Sequence, residues 1–210
     1  SFLQAKTHKK AAELLYIIYT YIIIPHHWGP GTSFRTPHTT TPYLCHDKGN
    51  TLEPTQTHPS MTLTQAYLQT WTEARTRYTN LLKDITEEDL KKKLTNTKNS
   101  AGFLLRHIGD VELLFAKNVF GGLDVDVHAK TVIAQQDTGE WINLSELMEY
   151  QQYAFDHLKA IIERQTDEDW NQSITTKEFG TKTKAEAIGR IISHTAYHAG
   201  QLSLTIKYGV

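Results

Sequence analysis

The sequence predicts an all-α protein, a four-helix bundle with one longer crossover connection, preceded by an irregular N-terminal extension. Four segments after residue 61 repeat apolar residues at spacings of three and four, which is the period of an amphipathic helix. No segment of the chain alternates convincingly as a strand would. Amphipathic helices that have no sheet to cover them must bury their apolar stripes against one another, and a bundle is the simplest way to do so.

Composition divides the chain near residue 61. All six prolines and the single cysteine, Cys45, precede that point, and residues 61–210 contain neither of these residue types. Residues 1–60 are rich in Thr, Pro and His without periodicity, which is typical of a disordered segment. We therefore predict an N-terminal extension at 1–60, disordered or not native, and a helical domain at 61–210, with Met61 as a candidate start of the functional protein.

The extension contains one apolar run, LLYIIYTYIII at 14–24. A membrane-spanning helix needs roughly 20 apolar residues, so this run is too short, and no small-x-small cleavage site follows it. The net charge of −1 gives no electrostatic reason to expect a nucleic-acid partner. A single cysteine excludes an intrachain disulfide and a multi-cysteine zinc module, and it fits a cytoplasmic protein.

The first helix is predicted over residues 62–85. Thr62 and Gln65 form a capping-box pattern at its start, in which each side chain accepts a hydrogen bond from the other residue's backbone N–H. Its apolar stripe comprises Leu63, Tyr67, Trp71, Ala74, Tyr78, Leu81, Leu82 and Ile85. The segment TEEDLKKKL, which follows, is expected to form a brief helix of its own.

The second helix is predicted over residues 100–120. Ser100 is its N-cap, because a serine side chain accepts hydrogen bonds from the free backbone N–H groups of a first turn. Gly121 and Gly122 are expected to end this helix. From Gly121 to Trp141 the sequence has no regular period, so this stretch is interpreted as the longer crossover of the bundle.

The third and fourth helices are recognised by their first residues. The third is predicted to begin at Asn143, with Glu146 three residues later. Its buried residues are predicted to be Leu144, Leu147, Met148, Ala154, Phe155, Leu158, Ile161 and Ile162. The fourth is predicted from Thr183 to Tyr208, with Glu186 completing a capping-box pattern at its start.

Three histidines lie on the apolar stripes of two of these helices. His194 and His198 are four positions apart, so they share one face of the fourth helix, where two imidazoles can bind one metal ion. His107 lies on the stripe of the second helix, among apolar residues. A buried polar group without a partner costs about 1–3 kcal/mol. These residues favour a metal site slightly over a hydrogen-bonded core, and both interpretations stay open here.

The other histidines do not favour a site. His157 falls beside the stripe of the third helix and His128 lies in the crossover, so both are expected at the surface. The histidines of residues 1–60, together with Cys45, match no zinc-finger spacing. The sequence contains neither the Glu-x-x-His motifs of di-iron carboxylate bundles nor HExxH.

Two segments of the chain carry a family resemblance, SAGFLLRHIGDVELLF at 100–115 and RIISHTAYHAGQLSLTIKYG at 190–209. Over residues 61–210 the sequence resembles the DinB/YfiT-like family, a group of metalloenzymes with a four-helix bundle. The more specific of the two matches is the HxxxH-x-GQ pattern with its trailing KYG. Nothing in residues 1–60 matches the family.

The resemblance implies a metal site formed by His107, His194 and His198. It implies a divalent ion, with zinc, nickel and iron all found in the family, and a homodimer. Some related proteins act as thiol-dependent transferases or isomerases that use the low-molecular-weight thiols bacillithiol or mycothiol. A thiol-dependent S-transferase is therefore the first expectation for this chain.

Three imidazole ligands would leave an open position on the metal. Water there would give a hydrolase, and a thiol would give an S-transferase; the ligand set does not choose between them. Asp110, three residues after His107, is either an acceptor for the free N–H of that ring or a solvent-facing carboxylate. Gln201, three after His198, is a second candidate at the site. The sequence names no catalytic side chain, and a non-catalytic metal-binding or stress-associated bundle protein is the other class.

Overall fold

The computed structural model describes residues 60–176 and 180–210, which form a predominantly helical domain with a small sheet. Its α-helices are α1 (Leu63–Leu82), α2 (Ala101–Asn118), α3 (Lys130–Ala134), α4 (Leu144–Glu163) and α5 (Lys184–Tyr208). Its strands are β1 (Ser173–Thr176) and β2 (Gly180–Thr183), and short 3-10 helices cover Glu88–Lys91 and Asp169–Asn171. Apart from Ser60, the predicted extension lies outside the described residues.

The helix starts agree with the predicted caps. The Thr62 side chain accepts from the backbone of Gln65, whose own side chain accepts from the backbone of Thr62. A second reciprocal pair, Thr183 and Glu186, opens α5. Helices α2 and α4 begin after the capping side chains of Ser100 and Asn143. These contacts are local in sequence, which is why the sequence predicts them well.

Two helices end earlier than predicted. Helix α1 ends at Leu82, and Ile85 is buried beyond its end, at 6% exposure. Helix α2 ends at Asn118, and the chain then turns through Gly121, whose φ of 85° is left-handed. This turn lets the Gly122 N–H donate to the carbonyl of Ala116, so a free carbonyl of the last turn is satisfied.

Helix α2 forms the centre of the fold. It packs against α4 and α5, and α1 packs against the same two helices. Most of α2 is buried on every side, as expected of a helix surrounded by others. Two apolar clusters fill the interior, the first including Trp71, Val111, Leu158 and Ile191, the second including Tyr78, Leu105, Leu147 and Leu202. None of the described helices combines the length and apolar character needed to cross a membrane.

The prediction that the domain has no strand is wrong. Strands β1 and β2 pair antiparallel between α4 and α5, with Ser173 opposite Thr183. Each strand has only four residues, and Ile174 is the only large apolar residue in either of them, so no alternation is visible in the sequence. A hydrogen bond between the hydroxyls of Thr175 and Thr181, 2.9 Å, crosses the pair.

The predicted crossover between α2 and α4 also contains more structure than expected. Helix α3, five residues long, lies within it. Thr131 and Val132 of this helix are buried at 1% exposure, and they pack the crossover back onto the domain. Because a helix of five residues completes little more than one turn, its apolar period is too short to be recognised.

A buried ion pair links three helices. The Arg75 guanidinium of α1 donates to Glu112 of α2 through Nε (2.9 Å to Oε1) and Nη2 (3.0 Å to Oε2). The Thr195 hydroxyl of α5 donates to the same carboxylate at 3.2 Å. Arg75 is 4% exposed and Glu112 is 0% exposed. The predicted stripe of α1 did not include Arg75, because a charged residue is expected to face solvent.

Candidate metal centre

His107, His194 and His198 converge in the interior, where α2 meets α5. The Nε2 atoms of His107 and His194 are 3.3 Å apart. One ring nitrogen from each of the three residues can be chosen so that all lie within 4.8 Å of one another. His194 and His198 are buried, and His107 is half-buried. In the described part of the chain, this is the one group of three or more His, Cys, Asp or Glu side chains placed to hold a metal ion.

The spacing of these nitrogens fits a divalent metal. Two ligands at 2.0–2.1 Å from a tetrahedral ion stand about 3.3 Å apart, which matches the His107–His194 pair. Among the described residues, the buried Nε2 of His198 has no hydrogen-bond partner, and neither has the buried Nδ1 of His194. Only the first of these would be satisfied by an ion that the Nε2 atoms bind. An unsatisfied buried nitrogen costs about 1–3 kcal/mol, whereas a lone pair that binds a cation is satisfied. The donor set is therefore the kind a metal site needs.

Burial keeps the three imidazoles neutral. Desolvation lowers the pKa of His107 and of His194 well below the usual value, and the neighbouring imidazoles lower both further. Desolvation also lowers the pKa of His198, to about 4, although its hydrogen bond with Gln201 acts in the opposite direction. All three rings are therefore unprotonated near pH 7, which is the form that binds metals.

Gln201 lies against the ring of His198. Its Oε1 lies 2.7 Å from Nδ1 of His198. Its Nε2 donates to the hydroxyl of Tyr197 at 3.1 Å, which orients the amide with its oxygen toward the ring. His198 consequently donates through Nδ1–H and keeps the lone pair on Nε2, the atom without a hydrogen-bond partner in the described structure.

Asp110 differs from both of its predicted states. It is 0% exposed, so it does not face solvent. Nor does it accept directly from His107, because Thr131 of α3 lies between them. The Thr131 hydroxyl is 2.7 Å from Oδ2 of Asp110 and 3.1 Å from Nδ1 of His107. The contact between Asp110 and the ring is thus indirect, through a residue of the crossover.

The two histidines assigned to the surface, His128 and His157, are not members of the cluster. His128 is exposed, and His157 is half-buried with its Nδ1 2.9 Å from the backbone carbonyl of Tyr153.

The ring of Phe103 stacks almost parallel to the ring of His107, with centroids 5.7 Å apart. Phe103 is one turn before His107 on α2, so the helix itself supports the plane of the ligand ring.

Thr131, Tyr150 and Arg106 are polar residues near the site that the sequence does not single out. Arg106 donates to Asp110 at 2.8 Å. The Tyr150 hydroxyl donates to Asp110 at 2.6 Å, and burial together with this carboxylate raises the pKa of Tyr150. In the sequence, Tyr150 lies beside the apolar stripe of α4, where a packing role is the ordinary expectation. Thr131 lies in the crossover, where no helical period assigns a side chain to a face.

A family model and a solved structure match this chain. The DinB superfamily model matches residues 70–202, a range that includes all three histidines. The crystal structure of a DinB-like protein from Bacillus subtilis, YjoA, superposes with a TM-score of 0.51 at 20% sequence identity. That match covers 68% of this chain and 90% of the other. At this identity the likeness concerns the fold alone. None of the curated proteins matches the sequence.

Proposed function

Because the chain belongs to the DinB superfamily, we propose that it is a metal-dependent enzyme with a four-helix bundle. His107, His194 and His198 would hold one divalent ion. The observation that carries this proposal is the meeting of three buried or half-buried imidazoles from two helices, with the Nε2 of His198 unpartnered within the described residues. Imidazole suits zinc, nickel, copper and iron alike, so the ligand set does not identify the ion; zinc, nickel and iron are the candidates because they occur in the family that the sequence resembles.

The reaction we propose is transfer of a small thiol to an electrophile. A divalent ion with only three protein ligands would supply a positive charge that lowers the pKa of a small thiol. The thiolate sulfur would form a C–S bond as the bond between the electrophile's carbon and its leaving group breaks, with the thiol proton released to solvent. The three ligands are neutral, and the nearby negative charge of Asp110 is paired with Arg106, 2.8 Å away. The ligands therefore leave the charge of the ion available to the substrate. S-transfer is preferred over hydrolysis because of the thiol-dependent relatives that the sequence resembles.

Metal analysis of the full chain tests the first part of the proposal. After incubation with zinc, nickel or ferrous ions and removal of the excess, we expect close to one equivalent of bound metal per chain. His194→Ala should lose most of it, since a chelate of three ligands is reduced to two. His128→Ala is the matched control, because that histidine is exposed and is not a member of the cluster. Equal metal content in wild type and His194→Ala would contradict the proposed site.

A thiol assay tests the second part. The metal-loaded chain is incubated with bacillithiol, mycothiol, glutathione or cysteine and a chloronitrobenzene electrophile, and thioether formation is followed by absorbance. We expect a rate above the uncatalysed reaction that is lost in His198→Ala and retained in His128→Ala. Bound metal without any thioether formation would support a hydrolase or a metal-binding protein instead.

We also propose a homodimer, with α5 in the interface. Tyr197, Leu204 and Tyr208 follow one face of α5, and they are 44%, 51% and 62% exposed. A row of exposed apolar side chains is typical of an interaction surface. Analytical ultracentrifugation should give twice the chain mass for the wild type and a single chain mass for Leu204→Glu. A wild type that sediments as a single chain would contradict this proposal.

A further inference from the structure

We propose that Thr131, on the crossover helix α3, is a positioning residue that sets which nitrogen of His107 faces the metal centre. This inference rests on the proposed metal site, and it adds a residue that has no direct contact with the ion. It also assigns a role to the long connection between α2 and α4, because Thr131 of this connection places its hydroxyl beside the ring of His107.

The direction of each hydrogen bond follows from the chemistry of the groups. A carboxylate can only accept, so the Thr131 backbone N–H and hydroxyl both donate to Oδ2 of Asp110, at 3.0 and 2.7 Å. The single hydroxyl hydrogen of Thr131 is then committed. Nδ1 of His107 lies 3.1 Å from the hydroxyl oxygen of Thr131, which can only accept here, so Nδ1 must be the donor. His107 therefore carries its hydrogen on Nδ1, and its Nε2 lone pair faces His194.

The carboxylate at the start of this chain of contacts is held rigidly. Its other oxygen, Oδ1, accepts from Nε of Arg106 at 2.8 Å and from the hydroxyl of Tyr150 at 2.6 Å. The Arg106 guanidinium lies over the ring of Tyr150, 3.4 Å from its centroid. Asp110 and Thr131 are 0% and 1% exposed. With four donors around it, the carboxylate cannot rotate away from Thr131 without leaving buried donors unpaired.

His107 and His198 are oriented by different groups. His198 donates to the neutral amide of Gln201, whereas His107 donates to a hydroxyl that itself donates to an anion. A hydroxyl polarised by a carboxylate is a stronger acceptor, and so it increases the basicity of the opposite ring nitrogen. Thr131 would thus strengthen His107 as a ligand as well as orient it.

Nitrogen NMR of the metal-free full chain tests the orientation directly. Imidazole ¹⁵N shifts distinguish the Nδ1–H from the Nε2–H form of each histidine. We expect the Nδ1–H form for His107 in the wild type and in Thr131→Ser. In Thr131→Val, which has the same shape without the hydroxyl, we expect a mixture of the two forms. A wild-type His107 with its hydrogen on Nε2 would overturn the inference, and this measurement requires no variant.

Zinc affinity, measured by competition with a chromogenic chelator, gives the second readout. Groups that orient a ligand histidine typically contribute 10- to 100-fold in affinity. We expect Thr131→Val to weaken zinc binding by this factor and Thr131→Ser to stay within about threefold of wild type. Unchanged affinity and an unchanged His107 tautomer in folded Thr131→Val would overturn the positioning role while the metal site stands. A wild type that binds no zinc would overturn the proposed function, and the NMR result would still decide the role of Thr131.

Discussion

The Nε2 atoms of His107 and His194 face each other at 3.3 Å, although 87 positions separate the two residues in the sequence. Two bare imidazole nitrogens at this distance repel, so one of them must carry a hydrogen or both must bind a cation. Since His107 donates through Nδ1 to Thr131, its Nε2 is bare. In the metal-free protein His194 is then left to donate through Nε2, and its buried Nδ1 has no partner among the described residues. An ion bound by these rings would accept both Nε2 lone pairs together with that of His198 Nε2, which has no partner among the described residues, whereas Nδ1 of His194 stays without one in either state.

Stability of the metal-free protein should fall as the pH decreases below about 6.5. The folded state holds the pKa of His198 near 4, and it lowers the pKa of His107 and of His194 too, whereas in the unfolded chain a histidine titrates near 6.5. Below that value the unfolded chain binds protons that the folded chain does not, so acid favours unfolding. The contribution of the three neutral histidines to the free energy of unfolding is therefore fully present above pH 6.5 and decreases below it.

Urea unfolding between pH 7 and pH 5, with a chelator present, measures this effect. We expect His198 alone to account for a loss of about 2 kcal/mol over these two units. His198→Asn should show a shallower dependence, and His128→Asn, at an exposed position, should match the wild type. A free energy of unfolding that stays constant from pH 7 to pH 5 would refute the neutral, buried state of the three rings.

Bound metal should raise the melting temperature. A ligand at 100 times its Kd stabilises the folded state by about 2.7 kcal/mol, which corresponds to roughly 5–10 °C for a domain of this size. Differential scanning fluorimetry with zinc should show this shift, and EDTA should reverse it. Magnesium serves as the control ion, because it prefers oxygen ligands. An equal shift in His198→Ala would place the stabilising ion elsewhere.

Gln201 should contribute to metal affinity through His198. Gln201→Leu removes the acceptor of the Nδ1–H, so the ring is free to reorient, and zinc affinity should fall by about 10- to 100-fold. Gln201→Glu keeps an acceptor at the same place and should retain or increase the affinity. Isothermal titration with zinc compares the two variants. Equal affinities for the leucine and glutamate variants would show that Gln201 does not act on the ring.

Much of the helical framework could be predicted from the sequence, because its signals are local. Thr62, Asn143 and Thr183 cap helices through contacts three residues away, which a single sequence displays directly. The three histidines could be brought together because each lies on an apolar stripe and the stripes of packed helices must meet. The expectation that all three face the interior does not depend on the conformation of the loops or of the crossover.

The structural features that the sequence does not predict depend on contacts that hydrophobic periodicity cannot show. Thr131 reaches the site from a five-residue helix inside a connection, and its partner Asp110 is 21 positions away. The paired strands are short and contain almost no apolar residues, so their alternation is invisible. Arg75 looks like a surface residue until Glu112 of another helix is placed opposite it. In each case the decisive partner is distant in sequence.

Removing one member of the buried ion pair should destabilise the fold far more than removing both. Glu112→Gln leaves the Arg75 guanidinium buried without its counter-ion, which costs about 3–5 kcal/mol. Arg75→Met with Glu112→Leu removes both charges and keeps most of the volume, so this double variant should recover a large part of the loss, and such replacements are often neutral. The two changes are therefore expected to be strongly non-additive.

Urea unfolding of Arg75→Met, of Glu112→Leu and of the double variant gives the coupling energy directly. Lys159→Met with Glu163→Leu is the matched control, because this pair lies on the surface of α4 and its side chains are 42% and 44% exposed. An exposed pair contributes at most about 1 kcal/mol, so all control variants should stay near the wild type. If Glu112→Gln unfolds at the same urea concentration as the wild type, the ion pair does not hold α1 against α2. A double variant whose loss equals the sum of the two single losses would show that the two charges do not act as a pair.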